Sequence, residues 1–370
     1  MRNCPIFTAT ILLFVLATAS AQDSAITPAL AAINKIGNGG HAHDEAIKAW
    51  KLIGEAPIEK APEILKAVNG ENPLAANWLR AAVDQIIERH LKEGNSLPAD
   101  TFEAIVFDQE YAPKARRLAY EWLKQVNEEA HDRIIPKMLN DSSLEMRRDA
   151  VDHAISVAAN LEGAEVIKHY QTVLTAARDL DQVEDLQDKL KELGEEVNLQ
   201  EHFGFLPTWK VIGTFNNKDM SGFDVAYGPE NDLGAKDSYK GDSGEVQWIP
   251  HTSEDKYAKV DLNEVIGKKM GVTGYAVTEF VSMKAQDVEL RLESKNAHKI
   301  WVNGELVMEN EVYHSGGGFD QYISKASLKS GTNQILMKIC QNEQTESWAQ
   351  DWAFKLRVCD SLGTAVRPSK

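Results

Sequence analysis

Cysteine, long apolar runs and positive charge are all scarce in this sequence, and each shortage removes a class of protein. Three cysteines occur in 370 residues. That is too few for a disulfide-stapled framework. The apolar run from Ile11 to Ala17 is far shorter than the roughly 20 residues that cross a bilayer, and nothing downstream approaches that length, so no membrane span is expected. Lys and Arg number 40 against 56 Asp and Glu, a net charge of -16. Such a surface repels nucleic acid and anionic headgroups, and no dense Lys/Arg cluster makes an exception. Three catalytic signatures are also missing: HExxH, CxxC and the GxSxG elbow.

What is present begins with Arg2, the apolar run, and the small residues Ala19-Ser20-Ala21 ahead of Gln22. This is signal-peptide order, with cleavage expected after Ala21 and an extracytoplasmic, periplasmic or secreted, mature protein. Cys4 would leave with the signal. Cys340 and Cys359 would remain, either paired or as two buried thiols. A hairpin turning near Glu346 sets Cys340 opposite about residue 352, several positions short of Cys359, which weakens the case for a bridge.

About 350 mature residues suffice for two domains. From about 27 to 194 the apolar spacing is helical. Asn72 reads as an N-cap with Pro73 at the first helical position. Leu74, Ala75, Trp78, Leu79, Ala82, Val83, Ile86, Ile87 and Leu91 then repeat at three and four residues until Gly94. One stripe is apolar, so the helix must stack on neighbours. Ala115-Arg116-Arg117-Leu118-Ala119 recurs 31 residues later as Met146-Arg147-Arg148-Asp149-Ala150, with Ser142 and Glu145 at capping-box spacing ahead of the second copy. The segment Ile134 to Asp141 followed by Glu145 to Val151 is similar to a HEAT repeat, whose first helix ends near an Asp and whose second carries an Arg. TPR-like pairs between Leu180 and Gly194, or an irregular bundle, give the same physical class.

After Gly194 glycine, aromatics and period-two alternation take over. Trp209–Gly213, Ala276–Val281, Val288–Leu292, Ile300–Val302, Gln334–Ile339 and Phe354–Val358 read as strands with one buried face, and Asn303-Gly304 as a type I′ hairpin turn. Trp209 to Phe215, Lys299 to Glu305 and Leu328 to Leu336 resemble the opening strand, the W-x-N-G hairpin and the L-x-x-G-x-N turn of galactose-binding-like jelly-roll modules. The resemblance runs from 203 to about 360. The predicted architecture is therefore multidomain, α then β: a signal peptide at 1–21, an α-helical repeat (HEAT/TPR-like) array at 22–200, and an antiparallel β-sandwich of the galactose-binding-like jelly-roll kind at 203–365. The whole resembles a group of secreted bacterial proteins of unassigned function.

Candidate chemistry is sparse. Gly241-Asp242-Ser243-Gly244 imitates a serine-protease nucleophile segment, but Glu245 follows it and no histidine segment precedes it, so it reads as a turn. His41-x-His43-Asp44 offers metal donors but lacks a third ligand at a recognisable spacing. Asn217-x-Asp219-x-Ser221-Gly222 has the first half of a calcium loop, although position twelve is Gly228 where a Glu belongs. The resemblance to galactose-binding-like modules implies a structural calcium there, with Asp224, Glu230, Asp232 and Asp237 in the same long loop.

Sugar recognition needs an exposed aromatic and fixed polar groups. Tyr313, His314, Asp320, Asn342 and Trp348 are candidates for one rim at the loop end of the sandwich. Trp248, Trp301 and Trp352 read as core. With 56 acidic residues no catalytic carboxylate pair stands out. The expected function is non-catalytic recognition of a glycan or glycoprotein through these loops, with the helical repeats as a protein-docking surface. The alternatives are a protein scaffold, or a carbohydrate-processing enzyme with an unrecognised site.

Overall fold

The structure, a computed structural model, describes residues 25 to 369. The expected signal peptide and its cleavage point lie outside the described residues. The chain forms two compact units, one ending at Ala159 and the other beginning at Asn160.

The first unit is helical: α1 (25–33), α2 (His43–Gly54), α3 (Ala61–Ala67), α4 (Pro73–Lys92), α5 (Ala99–Phe107), α6 (Pro113–Val126), α7 (Glu129–Ile134) and α8 (Leu144–Val157). Helix α4 has the predicted limits. The Asn72 side chain accepts the Ala75 N–H at 3.2 Å, Pro73 is the first helical residue, and Gly94 takes φ 86° beyond the end. Its stripe joins a core running from Ile26 to Ala150. No helix among the described residues is long and apolar enough to cross a membrane.

The repeated arginines connect one helix pair to the next. Arg116, wholly buried, donates to the Val106 carbonyl at 2.8 Å and pairs with Asp141, while Arg147 donates to the Asp141 carbonyl at 2.8 Å. The cap of α8 differs from the expected one. Ser143, not Ser142, accepts the Met146 N–H, because Asp141 holds the Ser143 N–H at 2.7 Å and the Ser142 hydroxyl is bonded to Gln109 and Arg116.

The second unit opens with helices α9 (Ala164–Ala176), α10 (Leu180–Glu192) and α11 (Leu199–Phe203). The change from helix to strand near residue 200 and the division between units are thus different boundaries. Side chains explain this: Arg178 donates to Thr364, Lys256 and Tyr257 both reach Glu184, and Arg357 donates to the Phe203 carbonyl at 3.1 Å.

Twelve strands follow: β1 (Thr208–Asn216), β2 (Ser238–Gly241), β3 (Gly244–Gln247), β4 (Ile249–Thr252), β5 (Val260–Asp261), β6 (Val272–Ser282), β7 (Gln286–Glu293), β8 (Ala297–Val302), β9 (Glu305–Asn310), β10 (Tyr322–Leu328), β11 (Gly331–Gln341) and β12 (Ala353–Cys359). A six-stranded sheet runs β4-β1-β6-β11-β8-β9, and a four-stranded one β10-β7-β12-β5. All pairs are antiparallel. Residues from both sheets, among them Val211, Phe280, Met337, Leu290 and Phe354, share one core, which makes the sandwich. Asn303 and Gly304 at φ 51° and 87° form the predicted tight turn between β8 and β9, and Asp242-Ser243 is the two-residue turn between β2 and β3.

Strands β11 and β12 belong to different sheets, so the last connection is a crossing between layers and not the expected hairpin. Cys340 and Cys359 are accordingly free and buried, one on each sheet, with burial pushing both thiols up to about 11. Such thiols are unreactive at neutral pH.

Trp352 is fully buried, as expected. Trp248 and Trp301 are only half-buried. They pack on a second apolar cluster of Ile212, Phe215, Tyr239, Tyr275, Val277 and Leu336 on the outer face of the six-stranded sheet. The segment from 217 to 248 provides the cover for that face, and buried Lys338 anchors it. Its ammonium donates to the carbonyls of Phe223 and Val225, each at 2.8 Å, and to Glu230 at 2.9 Å, using all three protons.

Candidate functional site

The loops at one end of the sandwich are tied to one another by backbone and amide hydrogen bonds. The Asn217 N–H donates to the Gly271 carbonyl at 2.8 Å, and the Gly271 N–H donates to the Asn342 carbonyl at 2.9 Å. The Asn217 side chain, wholly buried, accepts the Gly222 N–H at 2.9 Å and donates to the Tyr313 hydroxyl at 3.2 Å and the Gln341 carbonyl at 3.1 Å. A Cβ on Gly222 would lie 2.2 Å from the Asn216 carbonyl oxygen, so only glycine closes this loop. Asp219 and Met220 take φ 54° and 58°, and the Asp219 N–H donates to Glu343 at 2.5 Å.

These bonds account for the proposed calcium donors differently from the sequence reading. The Asn217 oxygen closes a turn, and the Ser221 hydroxyl donates to the Lys218 carbonyl at 2.6 Å. Of the three, only the exposed Asp219 carboxylate makes no hydrogen bond among the described residues, and one carboxylate is not a calcium cage.

His314 occupies the left-handed region at φ 56°, unusual for a residue with a Cβ. Its Nε2 lies 2.7 Å from the Asn342 side-chain oxygen, which also accepts the Gln344 N–H at 3.1 Å. That oxygen is an acceptor in both contacts, so Nε2 carries the proton and donates. Trp348 stands edge to face against the imidazole, ring centroids 5.4 Å apart at 87°. The indole remains 59% exposed, the most exposed aromatic ring among the large exposed apolar side chains. An apolar ring held out to solvent on a braced partner is a surface a planar or pyranose ligand can cover.

The other candidates fall into different positions. Tyr313 is half-buried against Phe223, Ala297 and Cys340, with its hydroxyl held by Asn217, so it is a support beneath the rim and not a stacking platform. Burial raises its phenol well above the ordinary tyrosine value. Asn342 is buried and orients His314. Asp320 is removed from ligand contact: its two oxygens are taken by Arg357, at 2.6 Å on one, and by Arg291 at 2.9 Å on the other. Burial opposes ionisation there, but the two guanidiniums prevail and hold its carboxyl below the usual range.

A second concavity lies on the outer face of the six-stranded sheet. This cleft of about 590 Å³ is bordered by Trp248, Lys210, Glu279 and Gln334. The Trp248 indole is fixed, because its N–H donates to the Lys236 carbonyl at 2.9 Å and Gly234 leaves room for its edge. Sequence reasoning missed this site because Trp248 looks like any strand-edge aromatic until the 217 to 248 segment is folded over the sheet. His41 and His43 gather no third ligand among the described residues: His41 bonds the Lys35 carbonyl and His43 packs on Trp78.

No family model matches the sequence, and no curated protein matches it. Among solved structures, a family 35 carbohydrate binding module from Clostridium thermocellum is 17% identical, over 24% of this chain and 72% of that one, with a TM-score of 0.19. An anti-sigma factor domain-containing protein from Clostridium clariflavum is 10% identical, over 45% of each chain, at 0.26. A beta-glucosidase from Kluyveromyces marxianus is 8% identical, over 79% of this chain and 36% of that one, also at 0.26. The chain thus spans less than half of the last two. At such scores the likeness carries no argument about function.

Proposed function

We propose that this is a non-catalytic, extracytoplasmic recognition protein whose β-sandwich binds carbohydrate at the rim formed by Trp348 and His314. One observation carries the reading: an indole more than half exposed that rests edge to face on an imidazole itself hydrogen-bonded to a buried amide. Such preorganisation lowers the ordering cost of binding. Tyr313 and Asn342 enter the proposal as supports, and Asp320 no longer belongs to it. Nor do Asn217 and Ser221 hold calcium in it.

A pyranose face covering roughly 60 Å² of indole at about 25 cal/mol/Å² contributes about 1.5 kcal/mol, or about tenfold in Kd. Electrophoresis of the full chain through gels containing a panel of plant, algal and bacterial polysaccharides tests this. Retardation by at least one polysaccharide, reduced about tenfold in apparent affinity by Trp348→Ala and unchanged by Trp248→Ala, is the expected result. The opposite pattern would move the sugar to the cleft beside Trp248, the second reading, favoured by the fixed indole and by the cleft's size. Release of reducing ends from the same polysaccharides would replace recognition with turnover.

A further inference from the structure

We propose that the helical unit holds a second, independent site: a binding site for a divalent d-block cation such as zinc, formed by His131 and Asp132 of α7 and His153 of α8. One ring nitrogen from each histidine and one carboxylate oxygen of Asp132 lie within 4.8 Å of one another. The two imidazoles approach edge to face, centroids 6.2 Å apart at 71°. Two imidazole nitrogens and one carboxylate form a donor set that suits zinc and its neighbours, whereas calcium and magnesium prefer oxygen alone.

Donors bound at about 2.0–2.2 Å in a tetrahedron stand about 3.4 Å apart, so the side chains close by at most roughly 1.4 Å. Asp132 is exposed and His153 half-buried, so these two side chains supply the movement while His131 stays on the Tyr120 hydroxyl. Three protein ligands leave one position for water or an incoming group.

A second observation points the same way. The Tyr120 hydroxyl, on buried residue Tyr120 of α6, lies 2.7 Å from His131 Nδ1. In the tautomer whose Nδ1–H donates to the Tyr120 oxygen, the Nε2 lone pair is left for a metal, and metal-bound histidines are held in this way by a neighbouring acceptor. Arg117 sits over the Tyr120 ring at 5.2 Å and keeps it in place. Tyr120 therefore acts as a positioning residue, and the site joins three successive helices. Sequence spacing hides it, because His153 follows the other two ligands by 22 and 21 residues on a different helix and the set matches no motif.

Calorimetric titration of the full, untagged, chelator-stripped chain with zinc chloride is the test. One equivalent should bind with a Kd on the order of micromolar. His153→Gln and Asp132→Asn, both of similar size to the native residues, should weaken binding at least tenfold. Tyr120→Phe should weaken it about tenfold without removing a ligand. Cobalt(II) titration gives a second readout, a visible absorption band that His153→Gln removes, and circular dichroism of the metal-free variants shows whether each is folded. No saturable binding below about 1 mM, or zinc binding that survives in His153→Gln and is lost in His41→Gln, would overturn the site.

Discussion

Arg116 in the helical unit and Lys338 in the sandwich unit are both fully buried cations, yet they hold different kinds of structure together. Arg116 reaches Val106, ten residues back, and Asp141, 25 residues on, so its bonds stay within neighbouring helices of a repeating pattern. Lys338 reaches Phe223, Val225 and Glu230, all more than 100 residues away, and pins an irregular segment onto a sheet. Helices satisfy their own backbone, and only their ends and crossings need side chains. The long loops of the sandwich cannot do so. Their carbonyls and amides are taken up by buried Asn217, Asn296, Asn333, Lys338 and Gln341.

The largest expected effect comes from cutting these two anchors. Lys338→Met leaves Glu230 without its cation and should cost about 3–5 kcal/mol. Hydrogen exchange should rise across 217 to 248 and stay unchanged before Ala159. Arg116→Met should cost a similar amount but raise exchange only in the helical unit, from about 99 to 150. Exchange that rose in both units with either variant would erase the distinction.

Acid should also separate the two. Burial, with help from Arg178, pushes the His202 imidazole down to about 4. Burial lowers His298 as well, and its buried Nε2 has no hydrogen-bond partner among the described residues to receive a charge. Both are neutral when folded, so the unfolded chain takes protons first. Stability contributed by His202 is complete above about pH 6.5 and declines as pH falls toward 4, and His298 acts in the same direction. For His202 alone the loss is about 3 kcal/mol by that point. Protonation of Asp320, held low by Arg357 and Arg291, then subtracts further. Melting followed by tryptophan fluorescence between pH 7 and 4 should fall less steeply in His202→Phe.

Smaller effects sharpen the comparison. Asn72→Ala removes a cap and should cost about 1 kcal/mol. Trp348→Ala should change stability by less than about 0.5 kcal/mol, although Trp352→Ala, four residues on and fully buried, should cost about 3–5 kcal/mol. Urea unfolding of the pair checks whether the exposed ring is free of a structural task.

Much of the fold could be read from local signals. The cap at Asn72, the stop at Gly94, the Arg116 and Arg147 repeat, the six strands and the Asn303-Gly304 turn depend on residues close together in the chain. The rim was legible only in part. Tyr313, His314, Asn342 and Trp348 do meet, but alternation could not tell that Tyr313 supports the rim while Trp348 faces solvent. Asp320 looked like a loop acid because its partners, Arg291 and Arg357, lie on strands 29 and 37 residues away. The crossing between β11 and β12, and the attachment of α9 to α11 to the sandwich, left no mark in composition.

The amino-acid order by itself determined which segments are helix and which are strand, where they turn, and which stripe of each is apolar, because those choices depend on steric and hydrogen-bonding preferences within a few residues. Tertiary structure decided which strands share a sheet, where the units divide, and which polar side chains face solvent. Those outcomes depend on burial and pairing between residues far apart in the chain, and no short stretch of sequence contains both partners.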